Sequence, residues 1–485
     1  MSDKDSGSYL KREVLVKIIE AFYSSDFTQQ LERLPFTMRP KNSEVPYRCC
    51  IHKERAILRK RTIAGIGFAI EDDNEFTPLA EYAKVALTQA PPTDTILTII
   101  DTACQGCIPN RIVVTDLCQR CVSRACLNNC RFAAISFNSG KATIDSTKCR
   151  ECGKCVPACP YQAISKLRVP CEESCPVKAI NKTEKGSACI DFAKCISCGK
   201  CISACPFGAV QEKSQILNIL KAIKDGKKLI AMLAPSIIGQ FPGTAFQLVT
   251  ALKKVGFDEV VEVAVGADIT ALNEASEFLN KDTSFMTTSC CSSYLELVTK
   301  HLSALAKFVS ATKTPLYYTA LWQKKLHPSA LTVFIGPCLA KKIEGIKNPE
   351  INYVITYEEL AALFEALKLD PALLSETKFT DQASREGRKF GVSGGVAGAL
   401  IAALPSETKV NPLLINGLDK QTISKLQICA NKQTCAEGNL IEVMACPGGC
   451  LGGPGVVTQP KAAIKQLHSY SEASKSLTEI AADKT

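Results

Sequence analysis

Residues 149–160 read CRECGKCVPACP and residues 195–206 read CISCGKCISACP. Both follow Cys-x-x-Cys-x-x-Cys-x-x-x-Cys-Pro, and working outward from them uncovers an internal repeat. Cys, three residues, Cys and then an Ala-Ile or Ala-Val strand start recur at CLNNCRFAAI (126–135), CVPACPYQAI (155–164), CEESCPVKAI (171–180) and CISACPFGAV (201–210). Seventeen of the 26 cysteines lie between Cys104 and Cys205, and only four His and one Trp accompany them in 485 residues. With 46% hydrophobic and 22% charged residues the chain is long enough for two or three cored domains. No apolar run reaches the ~20 residues of a bilayer span. The opening MSDKDSGSYLKREVLV is too polar for a signal peptide and too acidic for a transit peptide, so a cytoplasmic protein with no membrane partner is expected. A reducing compartment argues against disulfides, which leaves metal or redox chemistry for the thiols.

The spacing is that of bacterial ferredoxins, in which three close thiolates hold one 4Fe-4S cluster and the Cys before Pro reaches a neighbouring one. Pro after that Cys keeps the loop from continuing as helix. A zinc ribbon would instead need two CxxC knuckles. Using only the second and fourth repeats gives two clusters; all four repeats with Cys104 and Cys107 supply sixteen thiols, enough for four. The arrangement resembles the four-cluster electron-transfer subunits of molybdenum oxidoreductases. That likeness implies the sets Cys118, Cys121, Cys126 with Cys159, and Cys149, Cys152, Cys155 with Cys130. It further implies Cys195, Cys198, Cys201 with Cys175, and Cys104, Cys107, Cys171 with Cys205. Cys189 is left over and reads as a small hydrophobe.

From residue 228 the pattern changes to alternating strand and helix, an α/β reading. At expected strand ends, where such folds place their sites, stand TTSCCSSYLELV (287–298), FIGPCLAKKIE (334–344) and EVMACPGGCLGGPG (442–455). These resemble the three signatures of [FeFe] hydrogenases, in the family's order and spacing, over roughly residues 100 to 465. The lead-in RCVSRACLNNC and the basic YRCCIHKERA make the chain most similar to the monomeric group B type. The implied fold is an α/β catalytic domain of two parallel-sheet lobes around an H-cluster, preceded by an α+β ferredoxin-like multi-cluster domain. Boundaries are expected at 1–100 (a mostly helical region of unknown role), 101–212 and 213–485.

The resemblance implies that Cys291, Cys338, Cys446 and Cys450 hold the 4Fe-4S cubane of the H-cluster. Cys450 would bridge to a two-iron subcluster bearing CO, cyanide and a dithiolate amine. Cys290 would be the proton donor, Lys341 a donor to one cyanide, Ser236 with the Pro235 backbone to the other, and Met444 an apolar neighbour. Glu274 and Glu277, three apart on an expected helix and so on one face, would with Ser310 relay protons to Cys290. Gly448 and Gly449 would let backbone approach the cluster. The chain departs from the family at Ser292, Ser293 and Tyr294, at Gly336 in place of Met, which is expected to enlarge the pocket, and at Pro454 in the glycine run.

The implied function is a ferredoxin-linked hydrogenase reversibly reducing protons to H2, a role in anaerobic metabolism. The alternative is a hydrogenase-like scaffold or carrier in cytosolic iron–sulfur protein assembly that lacks the two-iron unit; such proteins generally have no thiol at the Cys290 position. A hydrogen sensor would need a further module. Between Cys104 and Cys205 there are 15 Lys and Arg against 7 Asp and Glu, most of the chain's +10. That balance suits an acidic electron carrier such as ferredoxin. Nucleic acid is not expected, because the lysines interleave with cysteines instead of aromatics. A monomer that depends on hydrogenase maturation proteins is expected. KERAILRKR (53–61) reads as a basic helix packed on the body; Cys49 and Cys50 are unassigned, and Cys429 and Cys435 read as ordinary thiols.

Overall fold

Parallel strands covered on both faces must be apolar throughout, and Leu229–Leu233 and Leu440–Met444 are buried at every position. The computed structural model describes residues 7–42, 49–104, 107, 111–138 and 140–482. Each of these strands is central to its own parallel sheet. The first has the order Glu259–Glu262, Leu229–Leu233, Leu331–Ile335, Tyr353–Ile355. The second has the order Met286–Thr287, Leu440–Met444, Pro412–Asn416. In both, the segments that carry the signature residues leave the carboxyl ends of strands: Ala234–Ser236 after Leu233, Cys290 and Cys291 after Thr287, Cys338 after Ile335 and Cys446 after Met444. Strand direction, not proximity in sequence, brings them to one crevice.

The cysteine-rich segment forms two ferredoxin-like units, one inserted in the other. In the inner unit Ile112–Val114 pairs with Ile164–Lys166 and the hairpin Ile135–Asn138/Lys141–Ile144 lies between them. In the outer unit Leu97–Ile99 pairs with Val210–Glu212, and the hairpin is Ile180–Lys182/Ala188–Ile190. Leu97–Ile99 was expected to belong to the N-terminal region; its pairing puts the edge of the outer unit at Leu97 rather than 101. Cys189 is also not the core hydrophobe expected. Alternation along its strand turns Ala188 inward and leaves the Cys189 thiol exposed.

Residues 1–100 do not form a separate body where they are described. Helices Gly7–Phe22, Phe27–Met38 and Ile51–Gly65 contribute Val14, Ile18, Ile19, Leu31 and Leu58 to the same apolar core as Leu233, Ile335, Leu360 and Leu363 of the catalytic half. The basic helix packs inward as expected, with Ile57, Leu58 and even Arg61 buried.

Candidate metal centre and proton route

Four repeats produce four copies of one local geometry. The Ala that starts each repeat strand donates its N–H back to the preceding Cys Sγ: Ala134 to Cys130 at 3.4 Å, Ala163 to Cys159 at 3.4 Å, Ala179 to Cys175 at 3.2 Å and Ala209 to Cys205 at 3.4 Å. The residue before each Ala has positive φ: Ala133, Gln162, Lys178 and Gly208. Seven of the nine non-glycine residues with positive φ fall in this segment. Left-handed residues among right-handed ones turn successive N–H groups toward one point, a concavity suited to an anion, and their strain marks a site the fold holds in place.

The thiols fall near one another in groups that match the sets the resemblance implied. Cys171 feels Cys205, Cys104 and Cys107; Cys126 feels Cys121 and Cys159; Cys155 feels Cys149, Cys130 and Cys152; Cys198 feels Cys195 and Cys175. Cys201 completes the last set, and Cys118 accepts N–H groups of Ala142 and Arg120. Among the described residues no three Cys, His, Asp or Glu side chains close on a single ion. Sets of soft thiols at this ferredoxin spacing suit an iron–sulfur body.

The same pattern recurs in the catalytic half. Burial, then Cys338, Cys291 and neighbouring charges, push the Cys450 thiol up to about 12; burial and Cys291 push Cys338 up to about 11. Cys446 is raised by burial and then by Cys338, Cys291, Cys450 and, across the interface, Cys198. Cys338, Cys446 and Cys450, raised in this way beside Cys291, are with it a donor set for a cationic core, which reverses that cost. The four side chains are thus brought together, with Cys446 toward the iron–sulfur segment and Cys450 toward a cavity.

That cavity is lined by Pro235, Ser236, Cys290, Cys291, Cys338, Lys341, Met444 and Cys450, with Leu316, Phe334 and Phe390 as apolar walls. Buried Lys341 donates to Glu344 Oε2 at 2.6 Å and approaches the Cys290 carbonyl at 3.4 Å. Burial disfavours its charge, but Glu344, Cys338 and Cys290 outweigh that and raise its pKa. Glu344, which also accepts from Ser292 and Thr314, was missed in the sequence although it ends the FIGPCLAKKIE motif. Ser236 Oγ lies 2.8 Å from Tyr357 Oη. Pro235 has no N–H to give, so of the two residues expected to donate from this turn only Ser236 can.

Gly336 does not enlarge the pocket as expected. A Cβ there would meet two ring atoms of Phe334 at 2.5 Å, so the aromatic ring already fills the space. Gly336→Met is therefore expected to destabilise the protein by about 1–3 kcal/mol through overpacking, a cost that Phe334→Ala in the same chain relieves; denaturant melts measure both. Gly449 owes its identity to packing: at φ 80°, a Cβ would sit 2.7 Å from the Gly391 carbonyl. Pro454 abuts Gly199, where a Cβ would meet its ring at 2.5 Å, so the break in the glycine run seats the Cys198 loop.

Glu274 and Glu277 share one face of helix Ala264–Asn280 but not one environment. Glu277 reaches the surface, where its Oε2 accepts from Ser310 Oγ at 2.6 Å and its Oε1 from Lys281 at 3.1 Å. Burial raises its pKa, but these bonds prevail and lower it. Glu274 is fully buried; its Oε1 accepts from Ser289 N–H at 2.8 Å and Ser289 Oγ at 2.9 Å, while Oε2 has no hydrogen-bond partner among the described residues. Burial pushes it up to about 7, and the Cys290 thiol is itself raised, first by burial and then by the Glu274 charge. Ser289, adjacent to Cys290, is a member of this route that the sequence reading missed.

The raised Glu274 pKa has a measurable consequence. Between the ordinary value of 4.5 and about 7 the folded protein holds a proton the unfolded chain has lost. Stability therefore falls as pH rises through that window, by on the order of 3 kcal/mol in total. Glu274→Gln should remove this part of the pH dependence, seen as a flatter unfolding midpoint between pH 5 and 8.

The remaining thiols stand apart. Cys429 is pushed up to about 12, mostly by burial and then by Cys435 alongside it, and both pack near Phe285 and Phe308. Exposed Cys49 and Cys50 are 3.7 Å apart.

Residues 227–454 match the family model for the iron-only hydrogenase large subunit, C-terminal domain, residues 165–216 an LdpA Fe-S cluster-binding domain and residues 142–165 a 4Fe-4S binding domain. Iron hydrogenase 1 of Clostridium pasteurianum is 30% identical over 398 residues, which cover 69% of this chain and 67% of that protein. Protein NAR1 of Arabidopsis thaliana is 24% identical over 341 residues, 53% of this chain and 72% of its own. A solved [FeFe]-hydrogenase from Chlamydomonas reinhardtii is 24% identical, with 53% of this chain and 88% of that one covered at a TM-score of 0.43. Thiols from three strand ends facing one another beside a lined cavity, with two-thirds of a known iron hydrogenase matched at 30% identity, establish that the chain belongs to the [FeFe] hydrogenase family.

Proposed function

We propose that this chain is a ferredoxin-linked [FeFe] hydrogenase that catalyses 2H+ + 2e− ⇌ H2 in the cytoplasm, as a monomer, in anaerobic metabolism. The observation that carries the reading is Cys290, a thiol outside the four-cysteine set that lines the cavity beside Cys450 and is electrostatically coupled to buried Glu274. Cys291, Cys338, Cys446 and Cys450 would hold the cubane of an H-cluster, which when bound supplies the redox chemistry and the site where H–H bonds are made or split. The protein's own part is the surroundings. Lys341 and Ser236 present donors into an apolar cavity, where such bonds are strongest, and Met444 closes one wall.

Protons would pass from solvent to Glu277, through Ser310 to Glu274 held by Ser289, and on to Cys290. Glu274, with a pKa of about 7, is suited to take and give a proton near neutral pH. Electrons would come through four 4Fe-4S clusters in residues 101–212, from a reduced acidic carrier of the ferredoxin type. Dedicated maturation proteins would install the two-iron unit.

The likeness to Protein NAR1 supports a second reading, a scaffold or carrier in cytosolic iron–sulfur assembly. Infrared spectroscopy of protein produced with the hydrogenase maturation enzymes separates them. Intrinsic CO and cyanide bands that grow with H2 evolution support the first; a protein with full iron–sulfur absorbance and no such bands overturns it.

A further inference from the structure

Packing orders the thiol sets. Gly199, between Cys198 and Cys201, abuts Pro454 and Leu339 of the catalytic half, and Cys201 and Cys175 pack in one apolar cluster with Cys104 and Cys171, so the Cys195/Cys198/Cys201/Cys175 set adjoins the catalytic half and the Cys104/Cys107/Cys171/Cys205 set comes next. The inner unit is tied on by Arg111, whose guanidinium pairs with Glu172, next to Cys171, and with Glu151 at 3.3 Å, between Cys149 and Cys152. Lys166 holds the same loop through the Glu151 carbonyl at 3.3 Å. This puts Cys149, Cys152, Cys155 and Cys130 on the side of the outer unit and leaves Cys118, Cys121, Cys126 and Cys159 as the terminal set.

The loop around that terminal set is unlike ordinary surface. Val122 is 98% exposed and Leu117 59%, immediately beside Cys121 and Cys118. They are flanked by exposed Arg120 and Arg124, both with positive φ. Arg124 is held over the Phe137 ring at 4.6 Å, and Arg120 lies against Gly140. The acidic residue nearest in sequence, Asp116, is occupied by Lys141. Residues 111–167 as a whole carry nine Lys and Arg against three Asp and Glu. Exposed aliphatic side chains beside two arginines held in place are the composition of a small, transient interface with a charged rim.

We propose that residues 117–124 are the docking face for a small acidic one-electron carrier protein, and that electrons enter at the Cys118/Cys121/Cys126/Cys159 cluster. This rests on the electron-transfer reading above and names the partner's site. In each encounter the reduced carrier loses one electron and the terminal cluster gains it; two such transfers and two protons balance one H2. A second copy of this chain would bring the same basic loop against itself, which like charges oppose.

The test uses the full chain with its iron–sulfur clusters reconstituted, without the two-iron unit, so that it does not depend on H2 chemistry. Bleaching of cluster absorbance by a reduced bacterial two-cluster ferredoxin is followed by stopped flow in the wild type, the double variant Arg120→Glu/Arg124→Glu and the milder Val122→Ser. The second-order rate constant is expected to fall at least tenfold in the double variant and severalfold in Val122→Ser. Its decline with salt should be shallower in the double variant, and reduction by dithionite should stay within twofold of wild type in all three. Equal ferredoxin rates in wild type and both variants, at equal iron content, would overturn the docking face. So would wild-type dimers on a sizing column that the double variant dissociates. H2 evolution with methyl viologen, measured separately on matured protein, tests the hydrogenase reading by itself.

Discussion

Replacing Cys290 by alanine in fully matured protein is expected to lower H2 evolution by about 10²–10⁴-fold, the range a positioned proton donor contributes. Iron content and cluster absorbance should not change. The reason is geometric. Cys291 has extended backbone (φ −91°, ψ 106°), so neighbouring side chains point apart. Cys291 acts on the other three thiols, while Cys290, also in the cavity wall, is raised after burial most by Glu274. Among the described residues no other acidic or thiol group outside the four-cysteine set lines that cavity. Glu274→Gln should fall in the same range because it interrupts the route one step earlier; Ser289→Ala, which removes one of two donors to Glu274 but leaves the Ser289 N–H, should cost about tenfold or less, as one neutral hydrogen bond does. Near-wild-type evolution by Cys290→Ala would remove the proton route. In an assembly scaffold the same substitution would leave every measurable function untouched, so the variant bears on both readings.

Much of this site was legible in spacing alone, and the reasons differ by residue. Cluster ligands must be thiols at fixed separations on tight loops, so the four repeats announced a ferredoxin-like segment, expected over residues 101–212, while the exchange of the fourth Cys between particular sets came from the family resemblance. Strand-end placement is likewise forced by parallel topology, which is why three Cys segments far apart in sequence could be expected in one crevice. The supporting residues carry no such signature. Tyr357 meets Ser236, and Glu344 meets Lys341 and Ser292, through partners chosen by the tertiary fold. Ser and Tyr are too common for their presence to be informative. Gly336 was misread for a related reason. A missing side chain is visible in sequence, whereas the Phe334 ring that takes up its volume is visible only in packing. The N-terminal helices were read as a region apart because their apolar faces do not say which core they complete; in the fold Ile18 and Ile19 join Leu360 and Leu363.

Lys342→Met is expected to destabilise the protein by about 3–5 kcal/mol, the cost of removing one partner from a buried ion pair. The ammonium is 1% exposed and donates to both oxygens of Glu359, at 3.1 and 3.0 Å, and to the Lys213 carbonyl at 3.2 Å. It also lies 3.8 Å from Glu212 Oε2. Glu212 in turn pairs with Lys11 of the first helix, and Glu359 caps helix Tyr357–Ala366 through Thr356 while accepting from Ser214. Two cations and two carboxylates therefore join the N-terminal helix, the last strand of the iron–sulfur segment and the catalytic half. Methionine fills the volume but leaves two buried carboxylates facing one lysine. The double variant Lys342→Met/Glu359→Gln restores the charge count and should recover at least half of the loss, since a buried pair replaced as a unit is often near neutral. The pH response gives a second readout. Burial opposes the Glu212 charge, yet Lys11 and Lys342 hold its pKa below 4.5. Its contribution is present above pH 4.5 and is lost as pH falls through the depressed folded value. Without Lys342 that depression weakens, and the acid unfolding midpoint should move to higher pH.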